Sequence, residues 1–406
     1  MSPTETPDRS PRARRVLDPV ASFLKTEAGG GFALLAGSVV ALIWVNVFGV
    51  EGYESFWHTQ LDIGIGSLSI DEDLGHWIND GLMTLFFFLI SLEIKREVVQ
   101  GDLRRPRQAA LPIIAAAGGV ILPVVIFLVL TAGTDATRGW GIPMATDAAF
   151  AIAALAILGE RVGVGAKLFL VTIAVVDDVA AILVIAIVYT SGVSLPWLLA
   201  AVGLLGVVVV MQRLGIGRIF PYVLVGVLVW IATLESGVHA TIAGVALAFL
   251  TPARPVNGRN VIEELEERIH PWTSFLVLPL FALANAGVPL GGDALSETDG
   301  TQVALAVALA LMLGKLIGIA SATGLAVRLR LGVLPEGVDM RSVIGIAALG
   351  GIGFTVSLFI ASLSFDDPLL VDSAKIGILA GSVVSAAIGV AILAPGGRHP
   401  SREQEP

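Results

Sequence analysis

Long apolar stretches of close to 20 residues recur along the whole chain, and this recurrence constrains the fold more than any other feature. Crossing about 30 Å of hydrocarbon takes about 20 helical residues. Twelve stretches meet or approach that length: 29–48, 76–97, 108–131, 139–158, 164–190, 195–211, 218–235, 237–251, 269–287, 302–327, 341–363 and 372–395. They are too long for strands and lack the ten-residue alternation of a membrane barrel. Spans seven and eight are parted only by Ser236 and Gly237, but their joint length exceeds one crossing, so they are read as two. Hydrophobic residues make up 55% of the chain and charged residues 15%. Soluble domains average about 45–50% and about 25%, so a water-soluble enzyme with one core is excluded. The expectation is an all-α polytopic membrane protein with twelve transmembrane helices.

Lys and Arg orient the spans. With the N-terminus inside, 22 of the 25 fall in inside segments, Arg138 and Lys375 fall outside, and Lys315 lies within span ten. Both termini are therefore expected in the cytoplasm, as polar tails over 1–28 and 396–406. One membrane domain covers 29–395, and span one reads as an uncleaved anchor. The absence of Cys removes disulfides, thiolate-held metals and thiol catalysis. A net charge of −9, with no basic block beyond Arg12, Arg14 and Arg15, argues against a nucleic-acid partner.

The only long outside loop, 49–75, has no Lys or Arg. Within it Leu61, Ile63 and Ile65 alternate with Asp62, Gly64 and Gly66, and Leu68 and Ile70 alternate with Ser67, Ser69 and Asp71. Gly66-Ser67 suits a tight turn, so an extracellular β-hairpin is expected over about 60–71. A lone hairpin is marginal in water. It either pairs with a second copy, giving a homodimer, or lies as a lid on its own chain.

An ionisable group inside a span costs at least about 2.5–3.5 kcal/mol on insertion scales and marks function by default. Four stand out: Asp147 in I-P-M-A-T-D, Asp177 and Asp178 in A-V-V-D-D-V-A-A, and Lys315 in L-M-L-G-K-L-I-G. Neighbouring carboxylates in a low dielectric oppose each other's ionisation, so at least one is expected to take up protons near neutral pH. A small hard cation prefers the same oxygens. One site can thus hold protons or a cation, and that competition is the physical basis of exchange. Lys315 is the natural partner of one Asp. The plainer alternative, a static Asp–Lys pair that joins helices, leaves two acids unexplained.

Two spans are interrupted. Pro143, Thr146 and Asp147 break span four, and G-G-I-G-F at 350–354 breaks span eleven. Freed backbone groups are tolerated only where they face protein or water. The half-helix ends carry partial charges, which Asp147 is placed to neutralise at N-termini and Lys315 at C-termini. Spans three to five and ten to twelve are offset by seven, an odd number, so equivalent helices run in opposite directions. Interrupted spans at matching places in inverted halves point to the substrate site of a secondary transporter. A channel lacks its selectivity ring here, an intramembrane aspartyl protease its G-x-G-D, and an ATP-driven pump its P-loop.

Across about 18–395 the chain closely resembles the bacterial sodium/proton antiporters of the NhaA family. The resemblance rests on W-I-N-D-G-L-M (77–83), F-F-F-L-I-S-L-E-I-K-R-E (86–97), I-P-M-A-T-D-A-A-F-A (142–151), A-V-V-D-D (174–178) and S-G-V-H-A-T-I-A-G (236–244). It rests further on H-P-W with L-P-L-F-A-L-A-N-A-G (270–287), G-K (314–315) and G-G-I-G-F-T-V-S-L-F-I (350–360). It implies crossed, unwound fourth and eleventh helices, a transport core over about 108–190 and 302–395, and interface helices over about 29–97 and 195–287. Asp178 and Asp177 would carry the cation and protons, Asp147 and Thr146 would lie beside the crossing, and Lys315 would pair with Asp177. Glu93, Arg96 and Glu97, with Glu266, His239 and His270, would respond to pH. The implied activity is electrogenic exchange of Na+ or Li+ for H+ in the bacterial inner membrane, without a cofactor. A related inverted-repeat transporter of another substrate, such as a bile-acid-type sodium symporter, is the competing reading.

Overall fold

The computed structural model describes residues 11–65, 68–190, 192–256, 258–291 and 298–395. Helix dominates. α1 (Pro11–Ile43) continues through a π-turn, Trp44–Phe48, into the short surface helix α2 (Val50–Trp57). Here Trp44, Tyr53, Phe56 and Trp57 pack ring on ring, the aromatic content expected at a membrane boundary. β1 (Gln60–Ile65) and β2 (Leu68–Asp73) pair antiparallel, with Ile63 opposite Ile70 and Ile65 opposite Leu68. The hairpin read from alternation is therefore present, and its Gly66-Ser67 turn lies outside the described residues. α3 (Leu74–His76) and a π-turn at Trp77–Leu82 lead into α4 (Met83–Val99).

α5 (Pro106–Leu130) follows, then a 3₁₀ segment, Asp135–Met144, and α6 (Ala148–Leu158). Next come α7 (Val164–Val188), α8 (Leu195–Arg213), α9 (Ile219–Leu234), α10 (Thr241–Leu250), α11 (Val261–Trp272) and α12 (Leu278–Asn285). α13 (Thr298–Leu309) joins α14 (Lys315–Arg328) through a π-turn at Ala310–Gly314. The chain then runs through α15 (Met340–Leu349), α16 (Phe354–Ser364) and α17 (Pro368–Leu393).

Among the described residues six helices are long and apolar enough to cross a membrane: Thr26–Phe48, α5, α7, α8, Thr298–Arg328 and α17. Two more candidate spans are bent pairs, Asp135–Met144 with α6 at 47° and α15 with α16 at 43°. These are the two interruptions read from the sequence. Gly237 has φ +77 and separates α9 from α10, so the stretches on either side of it are distinct helices, both shorter than a full crossing.

Small residues bring the central helices together. α5 and α14 approach so closely at Gly118 and Gly318 that a Cβ on either would overlap the other's carbonyl. At Gly314 a Cβ would lie 2.6 Å from the Pro123 Cα. Such contact is how helices associate in lipid, where burial of apolar area gives no driving force. Outward-facing Val129, Ile157, Ile187 and Val383 are each more than two-thirds exposed, as a lipid-facing surface requires.

Candidate functional site

Both bent pairs break in loops that touch each other. The Asp147 N–H donates to the Ile352 carbonyl at 2.6 Å, and Ser357 Oγ donates to the Ile142 carbonyl at 2.6 Å. Backbone freed by one interruption is thus satisfied by the other. Ala145, Thr146, Asp147 and Ile352 are all buried, so no water is needed there.

Asp147 serves both half-helices that start at the crossing. Its Oδ1 accepts from Phe150 N at 2.9 Å, capping α6. Its Oδ2 accepts from Thr355 N at 3.0 Å, in the first turn of α16. One carboxylate therefore meets two positive helix ends. Lys315 answers at the opposite pole. Its Nζ donates to the Met144 carbonyl at 2.5 Å, the end of the 3₁₀ segment.

Lys315 also reaches the helix that carries the paired acids. Nζ lies 2.5 Å from Asp177 Oδ2 and 3.1 Å from Thr146 Oγ1. Thr146 Oγ1 is 2.8 Å from Asp177 Oδ2 and 2.9 Å from the Gly350 carbonyl. Its single hydroxyl proton serves one of these acceptors at a time. Asp177 and Lys315 have no exposed side-chain surface. Asp177 Oδ1 is buried without a hydrogen-bond partner among the described residues. Asp178, one residue on, is 8% exposed and has no hydrogen-bond or ion-pair partner among the described residues. The five residues singled out in the spans thus form one cluster, with Asp178 at its open side.

The second predicted group divides. Arg96 Nη1 is 2.9 Å from Glu266 Oε2, and Glu93 lies within electrostatic reach of Glu27, Glu266, His270 and Arg96. His270 Nε2 bonds Glu27 Oε1. Burial pushes the Glu266 carboxyl up to about 7, against the opposing pull of Arg96. Glu97 folds over Gly101, where a Cβ would meet its carboxylate. His239 belongs elsewhere: Nδ1 is 3.0 Å from Thr241 Oγ1, Nε2 is 3.6 Å from Asp80 Oδ1, and its ring packs edge-on against Phe359 of α16.

Sequence reasoning missed Glu27. It opens the first apolar run and meets His270 from 243 positions away, so no local spacing could link them. Also missed was Asn79 with Asn285, whose side-chain amides bond each other reciprocally at 2.8 and 3.3 Å. The only signal was that each is an amide inside a span.

Interrupted helices crossing at a buried acid–lysine cluster, within an apolar helical assembly, define a secondary ion transporter. The comparisons place it further. The profile of the family Na+/H+ antiporter 1 matches residues 21–393, and the chain belongs to that family. It is 44% identical over 373 residues to the Na(+)/H(+) antiporter NhaA of Shewanella loihica, covering 91% of this chain and 95% of that one. It is 45% identical over 380 residues to Na(+)/H(+) antiporter NhaA 2 of Erythrobacter litoralis, covering 93% and 94%. Over 371 residues it is 45% identical to the Na(+)/H(+) antiporter NhaA of Escherichia coli strain UTI89, covering 90% and 95%.

Proposed function

We propose that this chain is an electrogenic antiporter of the inner membrane that extrudes Na+, and Li+ with it, in exchange for external H+, and so regulates internal sodium and pH. The observation that carries this reading is the Asp178 carboxylate, 8% exposed and without a bonded partner among the described residues, beside Asp177, whose Oδ1 likewise has none among them. Carboxylate oxygens are the ligands a hard cation takes up. Protons on the same oxygens remove the negative charge that holds the cation, so the two loads exclude each other.

Lys315 balances Asp177 while the cation is absent, and cation loading breaks that pair. If Asp177 and Asp178 each release a proton inside, two protons enter per cation leaving. One net positive charge then moves inward, and the membrane potential contributes about 2.3 kcal/mol per 100 mV. Thr146 is the hinge of this exchange, because its hydroxyl lies between Asp177 and the Gly350 carbonyl of the other broken pair. Alternating access then consists of relative movement of the core 108–190 and 302–395 against the helices 29–97 and 195–287. Glu93, Arg96, Glu97, Glu266 and His270 gate the inner side by pH, and His239 acts through Phe359.

Twelve spans remain: the second holds the π-turn Trp77–Leu82 ahead of α4, and the ninth, 269–287, holds the π-turn Thr273–Val277 between α11 and α12, with Glu266 ahead of it. Both termini are cytoplasmic. The hairpin is outside and pairs two copies through its free strand edges, with Leu61 and Ile63 42% and 52% exposed.

The test uses everted vesicles that hold a proton gradient read by a quenched dye. Na+ and Li+ are expected to restore fluorescence, K+ to leave it quenched, and Asp178→Asn to abolish the response. A wild-type response from Asp178→Asn would remove the proposed carrier.

A further inference from the structure

A hollow of about 1010 Å³ opens where α4 hands over to α5, lined by Gln100, Gly101, Arg104, Arg105, Arg107 and Gln108. The three arginines are exposed, and none is ion-paired among the described residues. α5 begins here at Pro106 with no side chain capping it, so its positive end faces the same space.

A second observation marks the same corner. Arg330 has φ +59 and is the one non-glycine residue at positive φ among the described residues. It closes α14 in a Schellman motif, with Arg330 N donating to Val327 O at 3.1 Å and Leu331 N to Ala326 O at 2.9 Å. Glycine normally takes this place because a Cβ strains it. The fold keeps an arginine there despite the strain, and a retained outlier points to function. Two residues on, Gly332 packs against Leu111 of α5, where a Cβ would lie 2.7 Å from the leucine Cβ. Gly118 on Gly318 and Leu111 by Gly332 set the end of α14 beside the start of α5, so Arg328 and Arg330 stand on the same side as the arginines of the α4–α5 loop.

Exposed aliphatic side chains close in sequence to these arginines decide what kind of anion fits. Leu329, Leu331 and Val333 are 58%, 54% and 86% exposed, and Val98 and Ile113 are 50% and 45%. Exposed aliphatic side chains beside exposed arginines match the boundary between acyl chains and headgroups. We propose that this corner binds the phosphate of an anionic phospholipid, held by arginine forks while its acyl chains lie on these aliphatic side chains.

Native mass spectrometry of the purified full-length protein tests this, with phosphatidylglycerol compared against phosphatidylcholine. An arginine near the surface contributes about 1 kcal/mol to holding an anionic lipid, about five-fold in affinity. Arg330→Gly is expected to weaken phosphatidylglycerol retention about five-fold, and Arg104→Gln/Arg105→Gln/Arg107→Gln about a hundred-fold. Arg330→Gly relieves strain, so its unfolding midpoint in phosphatidylcholine is expected at or above wild type, which separates lost binding from lost folding. Inorganic phosphate added to protein in phosphatidylcholine is expected not to stabilise it. Unchanged phosphatidylglycerol retention in both variants overturns the proposal, and so does full stabilisation by inorganic phosphate alone. Binding is read without transport, so the result is independent of the antiport assay.

Discussion

Lys315 Nζ and Asp177 Oδ2 are 2.5 Å apart, and neither side chain has any exposed surface. A buried pair of this kind adds little net stability, but removing one partner strands the other charge at a cost of about 3–5 kcal/mol. Lys315→Met is therefore expected to lower unfolding stability by that amount, and Asp177→Asn to lower it comparably. The double variant Lys315→Met/Asp177→Asn should recover much of the loss. Denaturant or thermal unfolding in detergent checks this. Additive losses in the double variant would show that the pair is not an energetic unit.

Asp178 stands in contrast to its neighbour. No bond is lost when its charge is removed, so Asp178→Asn is expected to keep wild-type stability in the absence of Na+ within about 1 kcal/mol. What changes is linkage. A cation at a hundred times its dissociation constant stabilises the folded state by about 2.7 kcal/mol. Wild type should gain on addition of Na+, and Asp178→Asn should not. Each proton that competes with the cation should weaken apparent Na+ affinity about ten-fold per pH unit below its titration range. Calorimetry across pH reads that slope, and a flat profile would end the competition account.

The six long spans, the two interruptions and the hairpin were legible in the sequence because each rests on a local pattern: apolar length, a Pro or Gly break, or alternation. The acids of the cluster were legible for the same reason, since a charge inside an apolar run is conspicuous. The pairing of Lys315 with one particular Asp was not, because residues alone leave either Asp177 or Asp178 possible. That assignment came from family resemblance. Glu27 stayed hidden because helix ends are full of charged residues, and only the packing of α1 on the π-turn Thr273–Val277 that follows α11, where Gly30 meets Ser274, brings it to His270. The double cap by Asp147 was half visible: its sign suited N-terminal ends, but its bond to Thr355 spans 208 positions.

That double cap gives a separate expectation. An N-cap carboxylate contributes about 1 kcal/mol, and Asp147 caps α6 and α16 together. Asp147→Ala is expected to cost about 2 kcal/mol. Amide exchange at Phe150 and Thr355 should rise in step. Faster exchange at Phe150 alone would show that the second cap carries no weight.

Glu266 supplies the clearest pH dependence outside the spans. Its carboxyl is pushed up to about 7 by burial, above the unfolded value, so the folded state favours the protonated form. The stability tied to that proton is complete below about pH 4.5 and is lost as pH rises through about 7. Over the same interval the charged pair with Arg96 forms. Infrared difference spectra should show a carboxylate band rising with a midpoint near 7, absent in Glu266→Gln. If these groups set the pH response, the activity profile of Glu266→Gln should shift against wild type. An unshifted profile would leave the Arg96–Glu266 pair a structural feature only.

At the base of the hairpin Asp73 holds two imidazoles, with His58 Nδ1 at 2.7 Å and His76 Nδ1 at 2.8 Å. Burial pushes its carboxyl up, but the His76 N–H and the two rings outweigh this and keep it below the usual carboxylate range. A lowered folded value means that its stabilising contribution is present at neutral pH and is lost only as pH falls through that value. The latch therefore holds across the physiological range and fixes where β2 ends. Asp73→Asn leaves one acceptor for two rings and a buried polar group short of a partner, a cost of about 1–3 kcal/mol. Amide exchange over Gln60–Ile65 should then accelerate at pH 7, while exchange in α5 and α14 stays unchanged. If the hairpin pairs two copies, the dimer should dissociate at higher protein concentration in Asp73→Asn than in wild type, as read by analytical ultracentrifugation in detergent. Faster strand exchange with an unchanged dimer constant would place the subunit contact outside the hairpin.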